Sequence, residues 1–111
     1  MDYIEFRING DNFAIKKTKD FIIESTLINK FTLTDENQSN FIEGFINYKG
    51  EIINVVDISS LYGKEKMKKF DGLLFINNKQ TTFALKYEGF SQIVNNTNNT
   101  IIDLNKIIQQ F

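Results

Sequence analysis

The stretch that decides the fold is GFINYKGEIINVVDISSLYG, residues 44–63. Two runs rich in Ile, Val, Phe and Tyr flank Lys49 and Gly50, a pattern typical of two strands joined by a tight turn. Gly50 supplies the positive φ that such a turn requires. Gly44 is predicted to mark a bulge or a close backbone approach where the first strand begins. The sequence therefore predicts a β-hairpin with its tip at Lys49.

The acid that follows this hairpin predicts a helix start. Val56 ends the second strand, and Asp57 can accept hydrogen bonds from the free N–H groups of residues 58–61, as helix-capping acids do. Gly63 then stops the short helix. We therefore expect Asp57 to hold the end of the hairpin in place.

Similar patterns predict the rest of the chain. Alternating apolar and polar residues or short apolar runs indicate strands over 3–8, 12–16, 72–77, 80–87 and 89–94. Segment 19–25 fits either a strand or one helical turn, and residues 32–40 and 95–99 are predicted loops. The last segment, 100–111, begins extended and turns helical after Asp103. Short strands with little helix indicate small antiparallel barrels or a sandwich.

Composition places the chain among compact proteins and limits its chemistry. A length of 111 residues with 41% hydrophobic side chains fits one domain that folds without stabilising disulfides or metal ions. The sequence contains neither cysteine nor histidine, which excludes thiolate nucleophiles, imidazole bases, disulfides and zinc sites of soft ligands. No metal site or cofactor is expected. Asp35 and Glu36 are the only adjacent acids among otherwise scattered carboxylates, and we interpret them as part of a solvated loop.

Charge and hydropathy narrow the expected location and partners. The formal net charge is −1, so binding to nucleic acid through phosphate contacts is not expected. The one basic cluster, residues 64–69, is interpreted as a solvated linker. No run of about 18 apolar residues indicates a membrane span, and the N-terminus lacks a signal-peptide pattern. A cytoplasmic protein without direct membrane insertion is expected.

Residues 41–63 resemble the signature of the CheW-like domain, which occurs in bacterial chemotaxis coupling proteins and in the regulatory domain of the histidine kinase CheA. Positions that match the family pattern are Gly44, Asn47, Gly50, Val56, Asp57 and Gly63. The opening hairpin, the central hairpin over 73–94 and the closing segment TIIDLNKII also resemble the family. The resemblance covers most of the chain and implies a single CheW-like domain over residues 1–111.

Two departures from the family pattern bear on the expected site. The signature arginine is Lys49, and the usual proline of the second strand is Asn54. Asparagine restores a donor to the strand ladder, so this change is locally benign. With lysine in place of arginine, a compact ammonium charge replaces the planar guanidinium, which can donate two parallel hydrogen bonds to a partner.

A third departure is length. Between residue 94 and the closing segment the family has a long excursion with at least one further strand, where this chain has only NNTNN, residues 95–99. Of the two SH3-like barrels that the resemblance implies, the second is therefore expected to be trimmed. A missing strand leaves an unpaired sheet edge along 89–94, which favours self-association or binding of a partner strand.

The resemblance implies a non-enzymatic adaptor of chemotaxis signal transduction that couples the cytoplasmic tips of chemoreceptors (methyl-accepting chemotaxis proteins) to the regulatory domain of CheA. The candidate partner-binding residues are Lys49, Asn47, Tyr48 and Glu24. The glycines and Asp57 are expected to shape the turn instead.

Two other functions stay open at the level of sequence. One is a CheW-like scaffold used outside chemotaxis. The other is a small β-barrel that binds an oligonucleotide or a carbohydrate, which predicts exposed aromatic side chains on one sheet face.

Overall fold

A computed structural model describes residues 2–33, 42–79 and 81–110. For Ser60 it describes only the backbone. These residues form a mainly β fold with nine strands, one turn of 3-10 helix and a C-terminal α-helix. The strands are β1 (Tyr3–Ile8), β2 (Asp11–Lys16), β3 (Ile22–Thr26), β4 (Thr32–Leu33), β5 (Ile42–Tyr48), β6 (Glu51–Val56), β7 (Gly72–Asn77), β8 (Thr82–Val94) and β9 (Thr100–Ile101). The 3-10 helix spans Ser59–Tyr62, and helix α1 spans Leu104–Ile108.

The strands form two sheets that share β8. The hairpin sheet has the strand order β4-β5-β6-β8-β7-β3, and the terminal sheet has the order β8-β1-β2-β9. Most neighbours are antiparallel, as expected, but β6 with β8 and β2 with β9 are parallel. The hairpin sheet has six strands and the terminal sheet has four, with β8 counted in both.

All three predicted hairpins are confirmed, and two of them have two-residue turns. In β1–β2 the turn residues Asn9 and Gly10 have φ values of 50° and 80°. Successive positive φ values define the type I′ turn, whose twist matches that of paired strands. In β7–β8 the turn is longer, with Asn78 N–H donating to the Thr81 carbonyl at 3.0 Å.

The strands predicted over 80–87 and 89–94 are replaced by a single 13-residue strand, β8, which begins at Thr82 and ends at Val94. Gly89 has a φ of 76° at the junction. Because glycine tolerates this conformation, the strand bends there without ending. Its first half pairs with β6 and β7, and its second half pairs with β1.

One open alternative is decided, and two loop or linker predictions are corrected in part. Of the strand and the helical turn that segment 19–25 allowed, the structure has the strand, β3, over Ile22–Thr26. Thr32 and Leu33, predicted as loop, pair with Phe45 and Gly44 as strand β4. Within the basic segment 64–69, Met67 is 5% exposed and is part of the core. The rest of the first loop, 34–40, with its two adjacent acids, lies outside the described residues.

Two apolar clusters hold the sheets together. The larger lies between them and contains Phe6, Ile15, Leu85 and Ile107 among its buried side chains. The smaller lies inside the hairpin sheet around Phe75. Helix α1 covers the larger cluster, and Asp103 caps it by accepting from Asn105 N–H, as predicted. No helix in the described part of the chain is long and apolar enough to cross a membrane.

The second half of β8 is an open edge of the terminal sheet. Among the described residues, β1 is the only strand that pairs with 88–94, through Arg7↔Glu88 and Glu5↔Gln92 to Tyr3↔Val94. The four-stranded sheet with an edge along 89–94 agrees with the trimming expected from the sequence. The shortened sheet is the one that combines the first hairpin with the C-terminal strands.

Candidate functional site

The tip of the β5–β6 hairpin is a type I′ turn that projects a cation into solvent. Tyr48 pairs with Glu51, and the two residues between them, Lys49 and Gly50, have φ values of 51° and 81°. The positive φ of Gly50 was predicted, whereas that of Lys49 was not. The Lys49 side chain is 70% exposed.

Glu24, on strand β3, meets this tip from the other side of the hairpin sheet. Its carboxylate lies 3.7 Å from Lys49 Nζ and accepts a hydrogen bond of 3.1 Å from the Tyr48 hydroxyl. Lys49 Nζ also lies 5.2 Å from the centre of the Tyr48 ring, within the range of a cation–π contact. Three of the four candidate partner-binding residues are thus in mutual contact.

The Tyr48 ring is fixed from below by Phe75 on strand β7. The two rings stack with centroids 4.3 Å apart and an interplanar angle of 13°. Phe75 pairs with Glu24 across β3 and β7, so one residue pair supports both sides of the tip. The aromatic stack and the hydrogen bond to Glu24 therefore hold Tyr48 in one orientation.

A shallow groove of about 210 Å³ opens beside these residues. Its walls combine charge at the rim with apolar side chains: Ile22, Glu24, Tyr48, Lys49, Glu51, Ile53, Phe75, Asn77 and Thr82. Ile22 is 73% exposed, which is unusual for an isoleucine and extends the apolar surface to the solvent. A groove of this kind suits an apolar ridge with polar edges on a protein partner.

Asn47, the fourth candidate, is not part of this groove. Neighbouring residues of a strand point to opposite faces, so Asn47 lies on the face opposite Tyr48. It is exposed and pairs with Ile52, which is 73% exposed. The structure therefore separates Asn47 from the other three residues.

The expected turn-shaping residues have the positions that their chemistry suggests. A Cβ atom on Gly44 would lie 2.0 Å from the Thr32 carbonyl oxygen, so the predicted close backbone approach is present. A register shift between Ile42 and Gly44 gives the predicted bulge. Val56 is fully buried. Gly63 follows the 3-10 helix with a φ of 69°.

Asp57 caps the 3-10 helix and is also part of a buried charge cluster that the sequence did not reveal. One oxygen accepts from Ser59 N–H at 2.8 Å, as predicted. The other accepts from Met67 N–H at 3.2 Å and lies 3.0 Å from Lys86 Nζ. Lys86 Nζ donates further to both Glu43 oxygens, at 2.7 and 2.9 Å, and to the Met67 carbonyl at 2.9 Å.

The two carboxyls of this cluster have opposite pKa shifts. Burial, followed by the neighbouring Asp57, raises the pKa of Glu43. Burial opposes ionisation of Asp57 too, but hydrogen bonds from Glu43, Ser59 and Lys86 outweigh it and lower its pKa to about 2. The surroundings therefore favour the ionised form of Asp57 opposite Lys86 and disfavour that of Glu43.

Lys86 and Asp57 of this charge cluster are shielded from solvent, and the Glu43 side chain is 11% exposed. Lys86 and Asp57 are each 2% exposed. Four oxygens surround the buried Lys86 ammonium, two from Glu43 and one each from Asp57 and Met67, and they leave it no access to a substrate. In the described ranges no group of three or more acidic, His or Cys side chains could hold a metal ion.

Sequence reasoning missed Glu43, Lys86 and Phe75. Lys86 follows apolar alternation in β8, where a lysine at an inward position signals a buried partner, but the partner cannot be identified without the fold. Glu43 turns inward because of the bulge beside Gly44. The bulge itself was predicted, and the direction of the Glu43 side chain is its consequence.

Comparison with known proteins gives a family and a fold. The model of the CheW-like domain family matches residues 2–110. Among solved structures, the chain is similar to the scaffolding protein TtCheW from Thermoanaerobacter tengcongensis, with a TM-score of 0.67 at 18% sequence identity. That match covers 87% of this chain and 62% of TtCheW, so the chain spans less than two thirds of the solved protein. No curated protein matches the sequence.

Proposed function

Because the chain belongs to the CheW-like domain family, we propose that it is a non-enzymatic adaptor of chemotaxis signal transduction. In this role it couples the cytoplasmic tip of a chemoreceptor to the regulatory domain of the histidine kinase CheA. The observation that carries the proposal is the groove beside Lys49, whose exposed cation, carboxylate and apolar wall suit a protein partner. The cytoplasm is the compartment that this function requires.

The receptor tip is proposed to bind in the groove and to engage Lys49. The ion pair between Lys49 and Glu24 is long and exposed, so it contributes little to stability and is easily exchanged for an intermolecular one. Tyr48 is already held by Phe75, so its ring can be covered without loss of much side-chain freedom. Asn47, on the opposite face, is not expected to contact the same partner.

A binding assay with purified receptor tip tests both the pathway and the site. We expect Lys49→Ala to weaken binding roughly fivefold or more, because a charge at the rim of an interface contributes about 1 kcal/mol. Lys49→Arg should retain binding, since the charge is kept. Lys64→Ala is a matched control, because Lys64 also forms an exposed ion pair, with Asp11 at 2.8 Å, far from the groove. If the Lys49→Ala variant binds the receptor tip as well as the unaltered chain does, the assignment of the site is wrong.

A scaffold used outside chemotaxis is the second candidate function. The four-stranded terminal sheet and the 62% coverage of TtCheW favour it, since a surface used by a kinase or receptor could lie in the part that differs. Binding to neither a receptor tip nor a CheA regulatory domain would support this candidate over the first.

The third function considered from the sequence, a barrel that binds oligonucleotides or carbohydrates, finds no support in the aromatic residues. Among the described Phe and Tyr residues, Phe90 alone is largely exposed, at 71%. A stacking surface needs several such rings on one face.

A further inference from the structure

The edge of β8 is protected only at its start. There the register with β1 shifts between Glu5 and Arg7, and Gly89 N–H donates to the Asp71 carboxylate. Residues 92–94 pair regularly with β1 and lack the features of edge strands that are protected from pairing. Such strands carry lysines, prolines or inward charges, whereas residues 88–94 read EGFSQIV with one charge at the end, Glu88. Phe90 and Ile93 are 71% and 63% exposed. Ile93 pairs with Ile4, which is 5% exposed, so Ile93 lies on the core face of the terminal sheet and lacks a cover.

The chain after β8 does not return along this edge. Thr97 Oγ1 donates to Glu5 at 2.6 Å, and Asn99 Nδ2 donates to the Phe13 carbonyl at 3.2 Å. These bonds direct the loop across the terminal sheet towards β2, where β9 pairs. The edge is therefore left open by the connection that follows it.

We propose that a second copy of this chain pairs with the edge, β8 to β8 and antiparallel, so that two terminal sheets join into one continuous sheet across a two-fold axis. An unpaired edge presents backbone N–H and C=O groups that only another strand satisfies in series. The proposal is independent of the groove, because the groove lies on the hairpin sheet.

The sequence of the edge fits pairing with itself. A two-fold axis perpendicular to the sheet places residues of the same face opposite each other. With Gln92 on the axis, Phe90 lies opposite Val94 of the second copy. Ser91, whose hydroxyl forms a hydrogen bond of 2.7 Å with the Ser25 hydroxyl of β3, lies opposite Ile93 of the second copy. Each exposed apolar side chain then gains a neighbour, and Glu88 lies opposite Asn96, so no like charges meet.

The expected association is weak and reversible. A joint of about five residues per strand buries less surface than the standard interface of roughly 800 Å² per partner, so dissociation constants of about 10 µM to 1 mM are expected. Sedimentation velocity between about 10 µM and 1 mM should show a shift from monomer to dimer. A strict monomer over this range would overturn the proposal.

Two isoleucines provide a matched pair of variants. Ile93→Lys places a charge on the open edge and should remove the dimer. Ile52→Lys places the same charge on β6, which has β5 and β8 on its two sides, at a residue that is 73% exposed. Because both side chains are exposed, both variants should fold, which thermal denaturation checks. Equal loss of dimer in both variants, or in neither, would overturn the proposal.

The absence of cysteine from the chain permits a direct test of the register. In Gln92→Cys the two thiols of a two-fold dimer lie opposite each other and should form an intermolecular disulfide on mild oxidation. Ile52→Cys, which is also at an exposed position but lies away from the edge, is the control for disulfides formed by random collision. Disulfide formation at equal rates in both variants would overturn the two-fold arrangement. The arrangement would also be overturned if Ile93→Lys abolishes the dimer but Gln92→Cys forms no intermolecular disulfide.

Discussion

Lys86 illustrates how a single residue can hold distant parts of this chain together. Its ammonium group bridges Glu43 on β5, Asp57 after β6 and the Met67 carbonyl in the segment before β7. Each of these partners comes from a different part of the sequence. All of them contact Lys86 inside the fold, where the lysine is 2% exposed. The charge cluster therefore fixes the path of the chain between β6 and β7.

Removal of the cation should be strongly destabilising. Lys86→Met leaves two carboxyls buried without their counter-ion, so we expect the free energy of unfolding to fall by about 3–5 kcal/mol. Lys64→Met removes a lysine whose ion pair with Asp11 is exposed, and should cost less than about 1 kcal/mol. Urea denaturation of both variants measures the difference. Similar losses would contradict the role assigned to Lys86.

The opposite pKa shifts in this cluster predict a pH dependence of stability. Because the pKa of Asp57 falls from 3.8 to about 2 on folding, its contribution is present above pH 3.8 and is lost as the pH falls towards 2. Glu43 has a raised pKa, so its contribution is present below pH 4.5 and is lost as the pH rises through its folded value.

Two variants separate these contributions. Asp57→Asn should flatten the loss of stability between about pH 4 and pH 2, although it lowers stability at neutral pH. Glu43→Gln should instead flatten the decline in stability as the pH rises above about 4.5. Urea denaturation at a series of pH values measures both slopes. An unchanged acid slope in Asp57→Asn would contradict the assignment of the low pKa.

Only part of the residue-scale picture was predictable from the sequence. Asp57 was recognised because capping is a local interaction, decided by residues two or three positions away. Lys86 was not, because its partners lie 19 and more residues from it along the chain. The contact between Lys49 and Glu24 likewise depends on how β3 and the hairpin meet, which no local pattern encodes.

At the scale of the element, Gly44 and Gly10 serve different purposes in their hairpins. A Cβ atom on Gly44 would overlap the Thr32 carbonyl, whereas nothing lies within 4 Å of one on Gly10, which has a φ of +80°. Gly44 therefore provides space for β4, and Gly10 provides a backbone conformation.

These two roles predict different consequences of alanine. Gly44→Ala should lower stability by about 1–3 kcal/mol and expose the amides that pair β4 with β5 to faster hydrogen exchange. Gly10→Ala should cost about 1–2 kcal/mol through strain, with exchange in β4 unchanged relative to the rest of the fold. Uniform protection of β4 in Gly44→Ala would show that the strand does not depend on the glycine.

Element boundaries were predicted well where a turn residue coincides with a change of direction. Lys49 and Gly50 form the predicted turn, and the turn at Asn9 and Gly10 lies in the gap between the predicted strands 3–8 and 12–16. Gly89 was predicted to mark a strand boundary. The sequence pattern of a glycine between two apolar runs is the same whether the chain reverses direction there or only bends. Which of the two occurs depends on β1, which pairs beyond the bend.

At the scale of the whole molecule, β8 makes the two sheets interdependent. Leu85 lies in its first half, fully buried in the cluster between the sheets. We therefore expect unfolding to be one cooperative transition, without a stage in which one sheet persists.

Leu85→Ala tests this interdependence. It should lower the free energy of unfolding by about 2–5 kcal/mol and reduce amide protection in both sheets together. Ile22→Ala, at a residue that is 73% exposed, should change stability by less than about 0.5 kcal/mol. Two separate transitions in Leu85→Ala, followed by circular dichroism and by amide exchange, would contradict a single unit.

The bend at Gly89 also has a consequence for how such a chain can vary in length. Residues 95–99 connect β8 to β9 outside both clusters, so extra residues inserted there leave the register of either sheet unchanged. One residue added within β8 would turn the side chains beyond it to the opposite face of the sheet. The part of β8 affected, before or after the bend, depends on where the residue is added. Natural gain and loss of segments is therefore expected to concentrate after Val94, while the length of β8 itself stays constant.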